Sequence, residues 1–218
     1  VQTSPAVAVR QRDAERTRAE ILEVATHEFA VRGYDGARVD EIAARTRTTK
    51  RMIYYYFGSK KQLYVAVLEG AYARIRAAER TINVDHLDPV TAIRRLAEIT
   101  FDHHEANPDF IRLVRIENVH HAVHIKELHS LVDLNSTALD VISGILDRGH
   151  RQRLFRADIE PIDVHMMISA YCVFRVANRD TFGTLFGRDL LDAGLREHYR
   201  TMLGDLVVAY LTCLQPRP

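Results

Sequence analysis

Six cations stand between Ile42 and Leu68: Arg45, Arg47, Lys50, Arg51, Lys60 and Lys61. No carboxylate falls in that interval, and three consecutive tyrosines, Tyr54, Tyr55 and Tyr56, lie inside it. Guanidinium and ammonium groups at this density suit a polyanion. A tyrosine adds to this, because its hydroxyl can reach a phosphate while its ring packs on a sugar or a thymine methyl. A solvated basic face accounts for the cations alone, but not for three aromatic residues in a row, which no helix can bury on one face.

Other reactive side chains form no such set. Histidines cluster at His103 with His104 and at His120, His121, His124 and His129. His120 and His124 have the i, i+4 spacing of a shared metal, yet no cysteine or carboxylate completes a ligand group, so no metal and no cofactor is expected. Cys172 and Cys213 each sit in an apolar run at a spacing that matches no zinc or redox motif, and are expected to be buried free thiols. There is no nucleophile elbow or phosphate loop, which argues against an enzyme.

The elements that position the cations read as helices. The chain is 218 residues long and 47% hydrophobic, enough for a sizeable core. Ile21, Leu22, Ala25 and Phe29 repeat at helical spacing up to Gly33, and "GYDG" (Gly33 to Gly36) reads as a turn. A short helix carrying Val39, Ile42 and Ala43 follows. After "RTRT" comes another over Thr49 to Phe57, with Thr49 as its cap and Ile53, Tyr56 and Phe57 on its core face. Thr49, Lys50, Arg51, Tyr54 and Tyr55 remain outside. Ser59 and Gln62 form a capping box for a fourth helix reaching about Arg80, and Lys60 at its start can hold a phosphate beside the free amides. Two helices joined by about four residues make a helix-turn-helix. Arg10, Arg12, Arg16 and Arg18 could form a basic arm ahead of it.

Beyond "NVDHLD" the pattern stays helical. Asp88–Pro89 and Asn107–Pro108 are cap-plus-proline starts. Further helices are expected over about 109–121, 126–149, 162–183 and 191–214. No strand pattern occurs, so the fold class is all-α. An N-terminal three-helix DNA-binding domain is expected at 10–60, and a helical ligand-binding and dimerisation domain at 61–218. No signal peptide or membrane-length apolar run is visible, which places the chain in the cytoplasm.

"AARTRTTKRMIYYYFGSKKQLYVAVL" resembles the second half of the DNA-binding domain of the tetracycline-repressor-like (TetR) family. That family reads I-A-x-x-A-G-V-S-x-x-x-[LI]-Y-x-[YH]-F-x-S-K-x-x-L, matched here by Ile42, Ala43, Ile53, Tyr54, Tyr56, Phe57, Ser59, Lys60 and Leu63. "ILEVATHEFAVRGYDGARVDEIA" resembles the first half. The resemblance implies a phosphate contact at Lys60 and a DNA-backbone contact at Tyr54. Arg38 and Arg47 depart from it, standing where the family has a Ser or Thr cap and a turn glycine; either arginine could be an added phosphate contact.

The resemblance also implies a homodimer on double-stranded operator DNA, released by a small-molecule inducer. The last two helices, apolar around most of their circumference, are candidates for the dimer interface. Polar residues within apolar faces are where the inducer would be held. Two clusters qualify: Glu117, Asn118 and His121, and Arg175, Asn178 and Arg179, with Phe174 beside the second as a further ligand-binding candidate. An arginine there can hold a ligand carboxylate, or it can pair with an acid of the protein.

Overall fold

A computed structural model describes residues 5–80, 84 and 86–213. Among these are ten α-helices and no strand: α1 (Pro5–Gly36), α2 (Val39–Arg45), α3 (Lys50–Phe57), α4 (Lys60–Arg80), α5 (Pro89–Ala106), α6 (Pro108–Val119), α7 (His129–Arg151), α8 (Pro161–Ala177), α9 (Arg179–Phe186) and α10 (Arg196–Thr212). Two compact units are present. One runs through Ala71 and includes Arg112–Leu128; the other comprises Tyr72–Ile111 and the chain from His129 onward. α4 and α6 each contribute residues to both.

In the first unit Ile21, Ala25 and Phe29 of α1 are fully buried, as are Ile42 of α2, Ile53 of α3 and Leu63 and Tyr64 of α4. Each helix shows the apolar stripe its sequence spacing predicts. α1 loses helical geometry at Gly33, where φ is 72° and ψ 173°, a conformation that a Cβ disfavours. Thr49 caps α3 by accepting from the Met52 amide at 3.2 Å, and Ser59 Oγ accepts from the Gln62 amide at 3.1 Å. The basic residues placed in an N-terminal arm are helical: Arg12, Arg16 and Arg18 lie on α1, and the Arg18 guanidinium stands 5.1 Å over the Phe57 ring. The side chain of Arg10 lies outside the described residues.

Arg47 adopts φ 51°, so the turn keeps the left-handed backbone that glycine accepts without strain. An L-residue there costs about 1–2 kcal/mol, of which glycine's extra unfolded-state freedom offsets part. Arg47→Gly should therefore raise stability by about 0.5–1 kcal/mol, measured as a higher urea midpoint at unchanged slope.

In the second unit one core gathers Ile93, Leu96 and Phe101 of α5, Ile142, Ile145 and Leu146 of α7, Val164, Ile168 and Cys172 of α8, and Leu203, Val207 and Leu211 of α10. Asp88 caps α5 by accepting from the amides of Val90 and Thr91 at 3.1 and 3.0 Å. Phe155, in the loop after α7, lies against Gly149; a Cβ on that glycine would meet the ring at 2.0 Å. Three sequence expectations change here. The long helix expected over 162–183 breaks at Asn178 into α8 and α9, and the last helix starts at Arg196 after a 3-10 turn. Cys213 is exposed, because α10 has ended at Thr212, whereas Cys172 is buried and its thiol is pushed up to about 12 by that burial.

Candidate nucleic-acid interface

The face of α3 opposite its core stripe is open. Ile53 and Phe57 are buried, while Thr49, Lys50, Arg51, Tyr54 and Tyr55 are all exposed. Tyr55 is the most exposed of the tyrosines, at 78% against 37% for Tyr54. Tyr56, expected to face the core, is half-buried and lies between two aromatic neighbours, Tyr55 at 5.5 Å and Phe57 at 6.4 Å. Five of the residues expected to meet DNA thus share one arc of a single helix.

Their charges are held differently. Arg51 has no protein partner among the described residues. Lys50 donates to Asp40 Oδ2 at 3.0 Å, and that hydrogen bond, followed by the Asp40 charge, raises its pKa. Both side chains are well exposed, so the pair contributes little and is readily exchanged for a phosphate. Lys60 does not extend freely from α4: its Nζ donates to the Asp35 carbonyl at 3.2 Å and stands 5.1 Å over the Tyr34 ring. Arg38 precedes α2 with an exposed side chain that makes no cap, and its amide donates to Glu28 Oε1 at 3.4 Å.

The residues expected to hold an inducer divide between the two units. Glu117 is in the first unit, 1% exposed, and its carboxylate is fully engaged. Oε1 accepts from the Tyr64 hydroxyl at 2.9 Å and from His124 Nδ1 at 3.0 Å; Oε2 accepts from the amides of His124 and Ile125 at 3.2 and 3.3 Å. Burial, then the Glu117 charge, raises the Tyr64 pKa, which keeps that hydroxyl a donor. Asn118 is exposed and donates to Val114 of its own helix, and His121 is exposed in a left-handed turn at φ 56°.

In the second unit Arg175 is buried. It donates to Glu105 Oε2 at 2.8 Å and to the Leu190 carbonyl at 2.9 Å, with its guanidinium 4.1 Å over Phe101. It belongs to a network in which Glu98, Asp102 and Glu105 of α5 also accept from Arg196 and Arg200 of α10. Phe174 is half exposed, and Asn178 donates back to the Phe174 carbonyl at the α8–α9 break. Glu117 and Arg175 were polar residues in apolar helices because each meets a distant partner of the same chain.

A different polar group in the second unit stands apart from these networks. His104 is 3% exposed, with Nδ1 2.8 Å from the Thr100 carbonyl. Burial holds it at about 4; burial, then Arg74 and Arg76, hold His103 at about 4 as well. Burial also lowers His165. An unfolded chain takes up these protons near 6.5. Between those values the unfolded state binds more protons, so stability rises with pH there. The contribution is fully present above about 6.5 and is lost as pH falls toward 4. The urea midpoint should fall from pH 7.5 to pH 5, and a variant carrying His103→Gln and His104→Gln should show a flatter dependence.

Two family models match this chain. One, described as bacterial regulatory proteins, tetR family, covers residues 21–67; the other, tetracyclin repressor-like C-terminal domain, covers 89–207. The HTH-type transcriptional repressor NicS of Pseudomonas putida is 34% identical over 200 residues, 92% of this chain and 94% of that one. The HTH-type transcriptional repressor SCO4008 of Streptomyces coelicolor is 41% identical over 103 residues, about half of each chain. Among solved structures, SCO4942 of Streptomyces coelicolor aligns at TM-score 0.67 and 29% identity, over 93% of this chain and 99% of its own. A tetR-family regulatory protein from Rhodococcus RHA1 aligns at TM-score 0.73 over 91% and 98%, and at 14% identity it shares the fold.

Proposed function

We propose a ligand-released repressor, because this chain belongs to the tetR family of bacterial regulatory proteins. Members of the family bind operator DNA and dimerise; they are transcriptional regulators and not enzymes. The chain would bind a palindromic operator and leave it when a small-molecule inducer shifts the population of its dimer toward a conformer that no longer fits. One observation carries the assignment of the reading element: the exposed arc of α3, with Thr49, Lys50, Arg51, Tyr54 and Tyr55 set opposite buried Ile53 and Phe57. Arg38 and Lys60, at the starts of α2 and α4, are assigned phosphate contacts. Lys60 would give up its bond to the Asp35 carbonyl to make one. No described helix is long and apolar enough to cross a membrane, and the work is assigned to the cytoplasm.

A dimer lets two reading heads enter successive major grooves, about 34–36 Å apart. The interface is assigned to α8 and α10. α8 exposes Ile162, Met166 and Phe174, spaced i, i+4 and i+12, and α10 exposes Leu206 and Tyr210. Apolar stripes of this kind mark an association surface.

The reading is tested by mobility shift of the purified chain on fragments of its own genome. A fragment with inverted half-sites should bind tightly, with log affinity falling linearly in log salt. If no fragment binds better than random duplex, the regulator reading fails.

A further inference from the structure

A groove of about 500 Å³ lies within the first unit, between the end of α1 and one face of α6. Arg112, Arg115, Ile116 and Val119 of α6 recur at intervals of three and four residues, so they share that face. Val31 and Arg32 form the other side, in the last regular turn of α1. Gly33 follows with its φ of 72°, and a Cβ placed there would meet nothing within 4 Å, so the groove is open at the break.

Two properties set this groove apart from a solvated helix surface. Its lining carries three guanidinium groups and the imidazole of His120, and contains no Asp or Glu. Its apolar residues are all aliphatic, and two of them stand well out into solvent, Val31 at 53% and Val119 at 73%. One recess thus combines a cationic rim with an apolar wall. Arg32 is exposed, and no ion pair engages it among the described residues. Arg112 and Arg115 are exposed too, and each already has a contact within the chain. A guanidinium carries five N–H donors and exposed contacts exchange readily, so neither arginine has to be vacant to meet an anion.

We infer that the groove binds a small amphipathic anion, an alkyl chain of medium length that ends in a carboxylate. Arg32 and the two arginines of α6 hold the headgroup by charge-assisted hydrogen bonds. The chain lies along Val31, Ile116 and Val119, whose apolar surface leaves water on binding. The volume is that of a small-molecule site. An alkyl chain suits a wall that offers no ring for stacking. Duplex DNA is the poorer fit, because a phosphate backbone gains nothing from the valines. The site shares no residue with the exposed arc of α3 and does not depend on the operator reading.

The test is calorimetry on the full chain with octanoate, beside octanamide, which keeps the chain without the charge, and acetate, which keeps the charge without the chain. Octanoate should bind about tenfold or more tightly than either control. Arg32→Gln and Val119→Asp, both at exposed positions, should each weaken octanoate binding by about tenfold. Octanamide binding as well as octanoate, no binding of octanoate, or unchanged binding in both variants would overturn the inference. Should a variant not fold, the wild-type methyl resonances of Val31, Ile116 and Val119 decide: octanoate that binds without shifting them also overturns it. Two other occupants are outcomes of the same work. Capture by phosphatidylglycerol vesicles, with free octanoate unbound, assigns the groove to a membrane surface and overturns the proposal. An Arg32→Gln variant that lowers the salt slope of duplex binding by about one, with octanoate unbound, assigns it to DNA and overturns the proposal as well.

Discussion

Glu117→Ala should cost about 3–5 kcal/mol of stability, the range for removing one partner of a buried, hydrogen-bonded charge. The side chain is 1% exposed and accepts four hydrogen bonds. Its loss strands the Tyr64 hydroxyl, His124 Nδ1 and the amides of His124 and Ile125. The donors are themselves packed: Tyr64 is fully buried, with Phe29 at 4.8 Å, Tyr34 at 5.2 Å and His124 at 4.9 Å around its ring. Tyr64→Phe keeps that packing and removes one donor, so about 1–2 kcal/mol should go. Urea denaturation followed by circular dichroism measures both. A Glu117→Ala variant of native stability and altered ligand response would restore the sequence expectation that this carboxylate faces an inducer.

What could be read in the sequence was local. Thr49, Ser59 and Asp88 each act within three residues of themselves, and each makes the amide contact its position predicts. The stripe of Ile53 and Phe57 follows from helical period alone. Arg47 at the turn position is legible for the same reason: a left-handed residue is demanded there whatever side chain fills it. The polar residues of the later helices were a different matter. Glu117 finds Tyr64 across 53 positions and Arg175 finds Glu105 across 70, and no spacing rule identifies such a partner. The run Glu98, Asp102 and Glu105 on α5, with Arg196 and Arg200 one turn apart on α10, was the available signal for that network. Two helix ends were also silent. α6 stops at Val119 before left-handed His121 and Ala122, and α8 stops at Ala177 before Asn178, in both cases without a glycine or proline to mark it. The histidine pair at 103 and 104 was visible as composition, but Arg76 and His165 join it only through packing.

Arg51→Ala is the substitution expected to weaken operator binding most, by about 1–3 kcal/mol if the guanidinium reads a base edge. The ranking follows from what each cation does in the free protein. Lys50 already donates to Asp40 and Lys60 to the Asp35 carbonyl, so each must exchange one partner for another on binding. Arg51 has no described partner to exchange, and its whole interaction with DNA is gained. Lys50→Ala should accordingly cost less than Arg51→Ala. The salt dependence separates the roles: loss of a phosphate contact lowers the slope of log affinity against log salt by about one, whereas loss of a base contact relaxes sequence preference with little change in slope. The tyrosines supply the control. Tyr54→Phe and Tyr55→Ala should weaken binding with the fold intact, because both side chains are exposed. Tyr56→Ala removes a half-buried ring packed on Phe57 and should lower stability. Unchanged operator affinity in both Arg51→Ala and Tyr55→Ala would mean that the exposed arc of α3 is not the surface that meets DNA.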